Sequence, residues 1–136
     1  MIFKTLTGGS KRLSKPKKYL IDWEKPSRSK RQFFVKQFIK KYWSSDFVFE
    51  EMPVVGTRMS FDFYNASHSI AIEVQGEQHL KYTPFFHGKA KSNFISQIRR
   101  DNSKEEYCKL NNIKFVEVYP KDDLPKTLLK SLGIDV

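Results

Sequence analysis

The stretch that most constrains this 136-residue chain is residues 60–74, SFDFYNASHSIAIEV. Two runs rich in aromatic and β-branched residues flank a short polar break at Ser67-His68. Such residues fit a pleated, half-buried surface, so the pattern predicts an antiparallel hairpin of strands 58–64 and 69–75. A two-residue turn at Ser67-His68 sets Ala66 opposite Ser69, Tyr64 opposite Ala71 and Asp62 opposite Glu73. Side chains alternate along a strand, so Glu73 and Gln75 share one face. Ile70, Ile72 and Val74 fill the opposite face, as do Phe61 and Phe63. Like charges facing each other across strands destabilise the pair. Either this face is wet and both carboxylates are solvated, or a cation compensates them.

Residues 27–43, SRSKRQFFVKQFIKKYW, predict a helix capped by Ser27 or Ser29. Phe34, Phe38 and Tyr42 recur at spacing four, with Val35 and Ile39 beside them, as one apolar stripe. Lys30, Arg31, Lys36, Lys40 and Lys41 occupy other faces, read as solvated. DFVFEEMPVVG reads as a strand ending at Pro53 to Gly56, and GEQHLKYTPFFHGKAK as a loop rich in aromatics and histidine. A second helix over 91–111 turns Phe94, Ile95, Ile98 and Leu110 inward. IKFVEVYP is a final strand stopped by Pro120, and 122–132 closes with a short helix. The expected fold is therefore α/β, a small single domain with a mixed β-sheet flanked by helices. Helix 91–111 serves as the crossover that lets the last strand pair in parallel beside the meander.

Charge divides the chain unevenly. Net charge is +10, and residues 1–31 carry ten Lys and Arg against only Asp22 and Glu24. Residues 1–26 read as a basic N-terminal arm and anchor, and 27–136 as the body. The arm proper, MIFKTLTGGSKRLSKPKK, is punctuated by Gly, Ser and Pro, and Tyr19, Ile21 and Trp23 anchor it to the body. A basic arm on a nearly neutral body is the footprint of a polyanion binder; a solubilising tail is the plainer alternative. A membrane surface is excluded as partner because GGSKRLSKPKK has no apolar face to insert. One cysteine, Cys108, excludes an internal disulfide and a multi-cysteine zinc site. No apolar run nears the roughly 20 residues of a membrane span, and no signal-peptide core is visible. The expected location is cytoplasmic, neither secreted nor membrane-bound.

Two carboxylates on adjacent strands suit Mg²⁺, which takes a few carboxylates and keeps several waters. Such an ion bridges to a substrate phosphate, polarises it and lowers the pKa of a bound water. Gly76 follows Gln75 directly and permits close backbone approach. With a basic arm to bring nucleic acid, the natural reaction is phosphodiester hydrolysis.

Asp62, an apolar hairpin and then Glu73-Val74-Gln75 resemble the PD-(D/E)XK nuclease superfamily. The surroundings are similar to its very-short-patch-repair-like branch, which includes EDxHD homing endonucleases, many of them phage-borne. The resemblance runs from about residue 27 to 119, through DFY after PVVGTRM, IEVQGEQH, and IRRDNSKEEYCKLNNIKFVEVY. It implies a restriction-endonuclease-like fold and a Mg²⁺-dependent endonuclease acting on double-stranded DNA, with Mn²⁺ able to substitute. A free-standing homing enzyme is the first expectation; a mismatch-nicking, junction-resolving or restriction enzyme shares the chemistry. A non-catalytic binder on a decayed nuclease fold is the rival from another class. For a phage-borne enzyme the location is the cytoplasm of a bacterial host.

By position, the resemblance makes Asp62 and Glu73 metal ligands, with the Val74 carbonyl as another. Gln75 stands where the superfamily usually has Lys; it can orient a water but supplies neither charge nor proton. Lys104, one helical turn after Arg100, supplies the missing charge from the helix. His79 corresponds to a histidine near the scissile phosphate and is the candidate general base, or else a loop residue. His68 reads as a turn residue, and His87 is a weaker candidate. Asp101 matches the final Asp of the EDxHD pattern, or pairs on the helix surface with Lys104 or Arg100. The pattern's first Glu has no counterpart in 27–43, where Gln32 or Gln37 stands; Glu50 and Glu51 come later. Expected DNA contacts are Lys11, Arg12, Lys15, Lys17 and Lys18 of the arm, with Arg58, Arg99 and Arg100 of the body. Cutting both strands with one metal site implies a homodimer or two successive nicks.

Overall fold

The computed structural model describes residues 1–75 and 89–119, including the side chains of 1–75, 99, 100 and 102–119. A four-stranded sheet forms the centre: β3 (Val48–Pro53), β4 (Ser60–Asn65), β5 (Ile70–Val74) and β6 (Lys114–Val118), adjacent in that order. The first three are an antiparallel meander, and β6 runs parallel to β5. Helix α1 (Lys30–Trp43) precedes the sheet, and α2 (Lys89–Leu110) is the crossover between β5 and β6. The expected small α/β domain with a mixed sheet is what the chain forms. No helix among the described residues is long and apolar enough to cross a membrane.

The hairpin keeps the register read from sequence: Tyr64 opposes Ala71, with Phe63 opposite Ile72 and Asn65 opposite Ile70. The reversal spans 66–69, with Ser69 at φ 57. A symmetric four-residue loop leaves the register of a two-residue one unchanged. His68 is a turn residue, its N–H donating to Asn65 Oδ1 at 2.9 Å.

Two apolar layers sandwich the sheet. On one side Val35, Ile39 and Trp43 of α1 meet Phe63, Ile70, Ile72, Val116 and Val118. On the other, Tyr107 and Cys108 of α2 meet Phe49, Met52, Phe61, Tyr64 and Ala71. Phe61 was expected beside Phe63 but stacks on Tyr64, with ring centroids 6.4 Å apart. Alternation fails between the two because the register of β3 with β4 steps over Glu51 and Asp62, and Glu51 adopts φ 53.

Helix α1 starts as expected, with Ser29 Oγ accepting the Gln32 N–H at 3.1 Å. Its buried face differs from the expected stripe. Phe34 is 62% exposed and Tyr42 is exposed as well, whereas Gln32 and Lys36 are buried with Val35, Ile39 and Trp43. The reason is Glu50 on β3: it accepts from Lys36 Nζ at 2.8 Å, Gln32 Nε2 at 3.0 Å and Ser27 Oγ at 2.6 Å. A buried charge is tolerated only when paired and hydrogen-bonded, and this network turns the polar edge of the helix inward.

The first 18 residues are not a loose arm. β1 (Ile2–Lys4) and β2 (Ser10–Arg12) form a second, two-stranded sheet, turned by Gly8 and Gly9, both at φ 87. Phe3 and Leu13 are buried in the α2-side core. A 3-10 turn at Pro16–Tyr19 follows, and Tyr19, Ile21 and Trp23 pack on the body as expected. Asn111 fixes the hairpin to the end of α2: it accepts the Lys4 N–H at 2.7 Å and donates to the Lys4 carbonyl at 3.0 Å. Asn112, at φ 54, ends α2 in a Schellman motif, the Ile113 N–H reaching the Cys108 carbonyl at 2.8 Å. Leu110, expected inward, is exposed. The inward placement of Phe94, Ile95 and Ile98 and the helix expected over 122–132 lie outside the described residues.

Candidate active site

The β4–β5 ladder pairs residues only as far as Phe63 and Ile72. Beyond that point the carboxylates replace it. The Asp62 N–H donates to Glu73 Oε1 at 3.1 Å, and the Val74 N–H donates to Asp62 Oδ2 at 2.7 Å. Two strand ends thus fork, and the expected Asp62–Glu73 opposition becomes a pair of side chains bridging the fork. Neither group is solvated: Asp62 is 4% and Glu73 6% exposed. The wet-face alternative is therefore corrected, since protein atoms cover nearly all of both side chains.

Cations compensate the pair from two elements. Lys104, one turn before Tyr107 and Cys108 on α2, reaches Glu73 Oε2 at 2.8 Å, and both side chains are buried. Arg28, just before α1, places Nη2 3.3 Å from Asp62 Oδ1 and Nε 3.4 Å from Glu51 Oε1. Each oxygen of the two central carboxylates therefore has one protein donor. Compensation is incomplete. Burial, and then the Asp62 charge, push the Glu73 carboxyl up to about 7 despite Lys104. Burial likewise raises Asp62, opposed by the Val74 N–H and by Lys104 and Arg28.

A cleft of about 410 Å³ opens at this fork, walled by Asp62, Glu73, Gln75, Arg28, Arg58, Arg100 and Lys104, with Met59, Ser60 and Val74. Its chemistry is two buried carboxylates beneath a rim of guanidinium groups, a setting for a phosphate above a divalent cation. Among the described residues no three His, Cys, Asp or Glu converge. Two carboxylates and the Val74 carbonyl are the hard oxygen donors on offer. That small share fits Mg²⁺, which retains several waters, and a divalent charge answers the deficit that keeps Glu73 near neutrality.

Of the residues singled out from sequence, the structure brings Asp62, Glu73, Val74, Gln75, Lys104, Arg58 and Arg100 to one cleft. Gln75 is held differently from expectation. Its amide nitrogen donates to Glu117 Oε2 at 3.1 Å, and the Tyr119 hydroxyl donates to the same oxygen. Glu117 is opposite Glu73 in the parallel β5–β6 register, a pairing readable from the crossover once β6 is placed. Arg99 is exposed on α2 outside the cleft lining. Lys11, Arg12, Lys15, Lys17 and Lys18 are all exposed, on β2 and the segment after it. His79, His87 and the side chain of Asp101 lie outside the described residues. None of the alternatives for the missing first Glu lines the cleft: Gln32 of α1 donates to Glu50, Gln37 donates to the Trp23 carbonyl, and Glu51 shares Arg28 with Asp62. Arg28 was legible only as one positive charge among ten, since its partners are 23 and 34 residues away along the chain.

No family model matches the chain, and no solved structure matches it. A segment of 79 residues, 55% of this chain, is 38% identical to "Uncharacterized protein 307L" of Invertebrate iridescent virus 6 and covers 40% of it. A segment of 81 residues, 59% of the chain, is 36% identical to "Uncharacterized protein 094L" of Frog virus 3 (isolate Goorha) and covers 52% of it. The alignment thus spans about half or less of the length of the curated relatives it matches. Similarity to viral proteins is what these matches establish.

Proposed function

We propose that the protein is a Mg²⁺-dependent endonuclease that hydrolyses phosphodiester bonds in double-stranded DNA. One observation carries the reading: the buried Asp62–Glu73 pair at the strand fork, held by Lys104, under a rim of Arg28, Arg58 and Arg100. Phosphate-sized anions are drawn to that rim, where Arg presents a planar fork matched to phosphate oxygens. Asp62, Glu73 and the Val74 carbonyl would hold the cation, and Mn²⁺ would serve in its place. When bound, the cation polarises a phosphoryl oxygen and lowers the pKa of its water. Lys104 keeps Glu73 oriented and adds positive charge where negative charge grows on the phosphate. Glu117 and Tyr119 hold the Gln75 amide nitrogen at the cleft wall, so the role left to Gln75 is to shape the site and accept a hydrogen bond. His79 remains the proposed base from sequence. A homing enzyme is the form that the sequence resemblance favours, acting as a homodimer or by successive nicks.

A second reading, a DNA-binding protein without catalysis, draws on the observation that all four carboxylate oxygens of Asp62 and Glu73 already accept from protein donors. Cleavage of supercoiled plasmid in Mg²⁺ or EDTA separates the two, comparing the wild type with Glu73→Gln and Lys104→Gln. Metal-dependent cutting lost in Glu73→Gln and reduced in Lys104→Gln supports the enzyme. Salt-sensitive binding without cutting on linear, supercoiled and branched DNA supports the binder.

A further inference from the structure

Arg28 differs from Lys104, the cation paired with the other fork carboxylate. Its side chain is 68% exposed, whereas that of Lys104 is 10% exposed. Its two contacts, 3.3 and 3.4 Å, are long compared with the 2.8 Å of Lys104 to Glu73. Exposed, loosely held ion pairs are weak and exchange partners readily. Yet Arg28 takes up a position on Asp62 Oδ1, an oxygen a cation in the cleft would need.

Arg28 also belongs to two hollows at once. Besides the cleft, it lines an adjoining hollow of about 380 Å³ with Lys18 and Lys25 and with the acids Asp22, Glu50 and Glu51, of which Glu50 is paired with Lys36 and Glu51 with Arg28 itself. A phosphodiester strand laid across both would meet Lys18 and Lys25 on one side, Arg58 and Arg100 on the other, and Arg28 between them. The backbone that carries Arg28 is fixed. Lys36 Nζ holds the Lys25 carbonyl at 2.7 Å, and Ser27 is bonded to Glu50, so only the Arg28 side chain is left to swing.

We infer that Arg28 is a substrate-displaced gate: a backbone phosphate entering between the two hollows draws the guanidinium off Asp62 and thereby opens the cation site. This rests on the nuclease reading above and adds the order of events to it. DNA and cation then bind with positive coupling, each tightening the other by the same factor, as linkage requires. The gate keeps the DNA-free protein poor in bound metal. Lys104 takes no part, because it stays buried on Glu73 in both states.

The test is Mn²⁺ binding to the full DNA-free chain, read from loss of the free-ion electron paramagnetic resonance signal. Arg28→Gln should bind Mn²⁺ at least about fivefold more tightly than wild type, the lower end of ordinary coupling. Arg58→Gln removes the same charge from the same cleft without an ion pair to either carboxylate, and should change the affinity less than twofold. In parallel, fluorescence anisotropy of a labelled duplex at fixed salt should show Mn²⁺ tightening wild-type binding at least about fivefold. Arg28→Gln should abolish that gain. Equal effects of the two substitutions on Mn²⁺ affinity would overturn the gate in favour of a general field. Unchanged or weaker Mn²⁺ binding by Arg28→Gln would overturn it while leaving the nuclease reading intact. If no Mn²⁺ binding is lost in Asp62→Asn, the cation site itself falls, and the gate with it.

Discussion

The state of Glu73 at neutral pH makes a sharp prediction about stability. Its carboxyl titrates at about 7 in the fold against an ordinary 4.5. The folded chain therefore holds a proton that the unfolded chain has released throughout that window. Where the folded state binds more protons, stability falls as pH rises. At about 1.4 kcal/mol per pH unit, the difference accumulates to about 3 kcal/mol between pH 4 and pH 8. Glu73→Gln keeps the shape and cannot titrate. Its loss of the Lys104 partner displaces its stability curve as a whole, so the informative quantity is the slope. Urea unfolding in EDTA, followed by the fluorescence of Trp23 and Trp43, should show wild type minus variant dropping by about 3 kcal/mol from pH 4 to pH 8. On the proposed nuclease reading, saturating Mg²⁺ should flatten the wild-type curve at the alkaline end, because a cation held by Glu73 would favour the ionised form. A difference constant within about 1 kcal/mol across the range would refute the burial-and-repulsion account of this site.

Other outcomes follow from packing elsewhere. Lys36→Met strands Glu50 without its buried cation and should cost about 3–5 kcal/mol in urea unfolding, with much of it regained in the Lys36→Met/Glu50→Gln double variant. Asn111→Ala removes both bonds to Lys4 and should cost about 1–3 kcal/mol, with hydrogen exchange speeding up first at the Lys4 amide. Phe61→Ala empties a fully buried position between Tyr64 and Tyr107 and should cost about 3–5 kcal/mol, read by thermal or urea unfolding. Ser29→Ala removes the α1 cap and should cost about 1 kcal/mol in the same assay.

How far the sequence carries the structure depends on the range of the interaction. The register of the 60–74 hairpin near its turn was legible, because alternation and a short polar turn are local signals that fix register together. The parallel placement of β6 followed from handed crossover rules. The face of α1 was misjudged because the buried Lys36 is held by Glu50, 14 residues away on another element, and by the Lys25 carbonyl. Periodicity sees Phe34, Phe38 and Tyr42 and cannot see that pairing. The N-terminal hairpin hid for a similar reason. Phe3 and Leu13 are two anchors in a polar stretch, too sparse for a pattern, and Asn111 secures their hairpin by bonding Lys4, 107 residues away. Phe61 left its expected face because Glu51 takes a left-handed backbone conformation that no residue-type preference announces there. In the cleft, Asp62, Glu73 and Lys104 were readable from motif order, whereas Arg28 and Glu117 come from tertiary proximity alone.

The fork also bears on how mutagenesis of this protein should be interpreted. Asp62 and Glu73 do not merely sit near the strand ends; their oxygens stand in for the ladder that has run out, accepting the Val74 and Asp62 amides. An asparagine or glutamine retains an acceptor for those amides, while alanine takes their side-chain acceptors away. Alanine scanning here would confound chemistry with local architecture: a dead Asp62→Ala protein would report parted strands as readily as a missing ligand. The amide substitutions are the informative probes, and a gap between amide and alanine phenotypes measures how much of each carboxylate is scaffold.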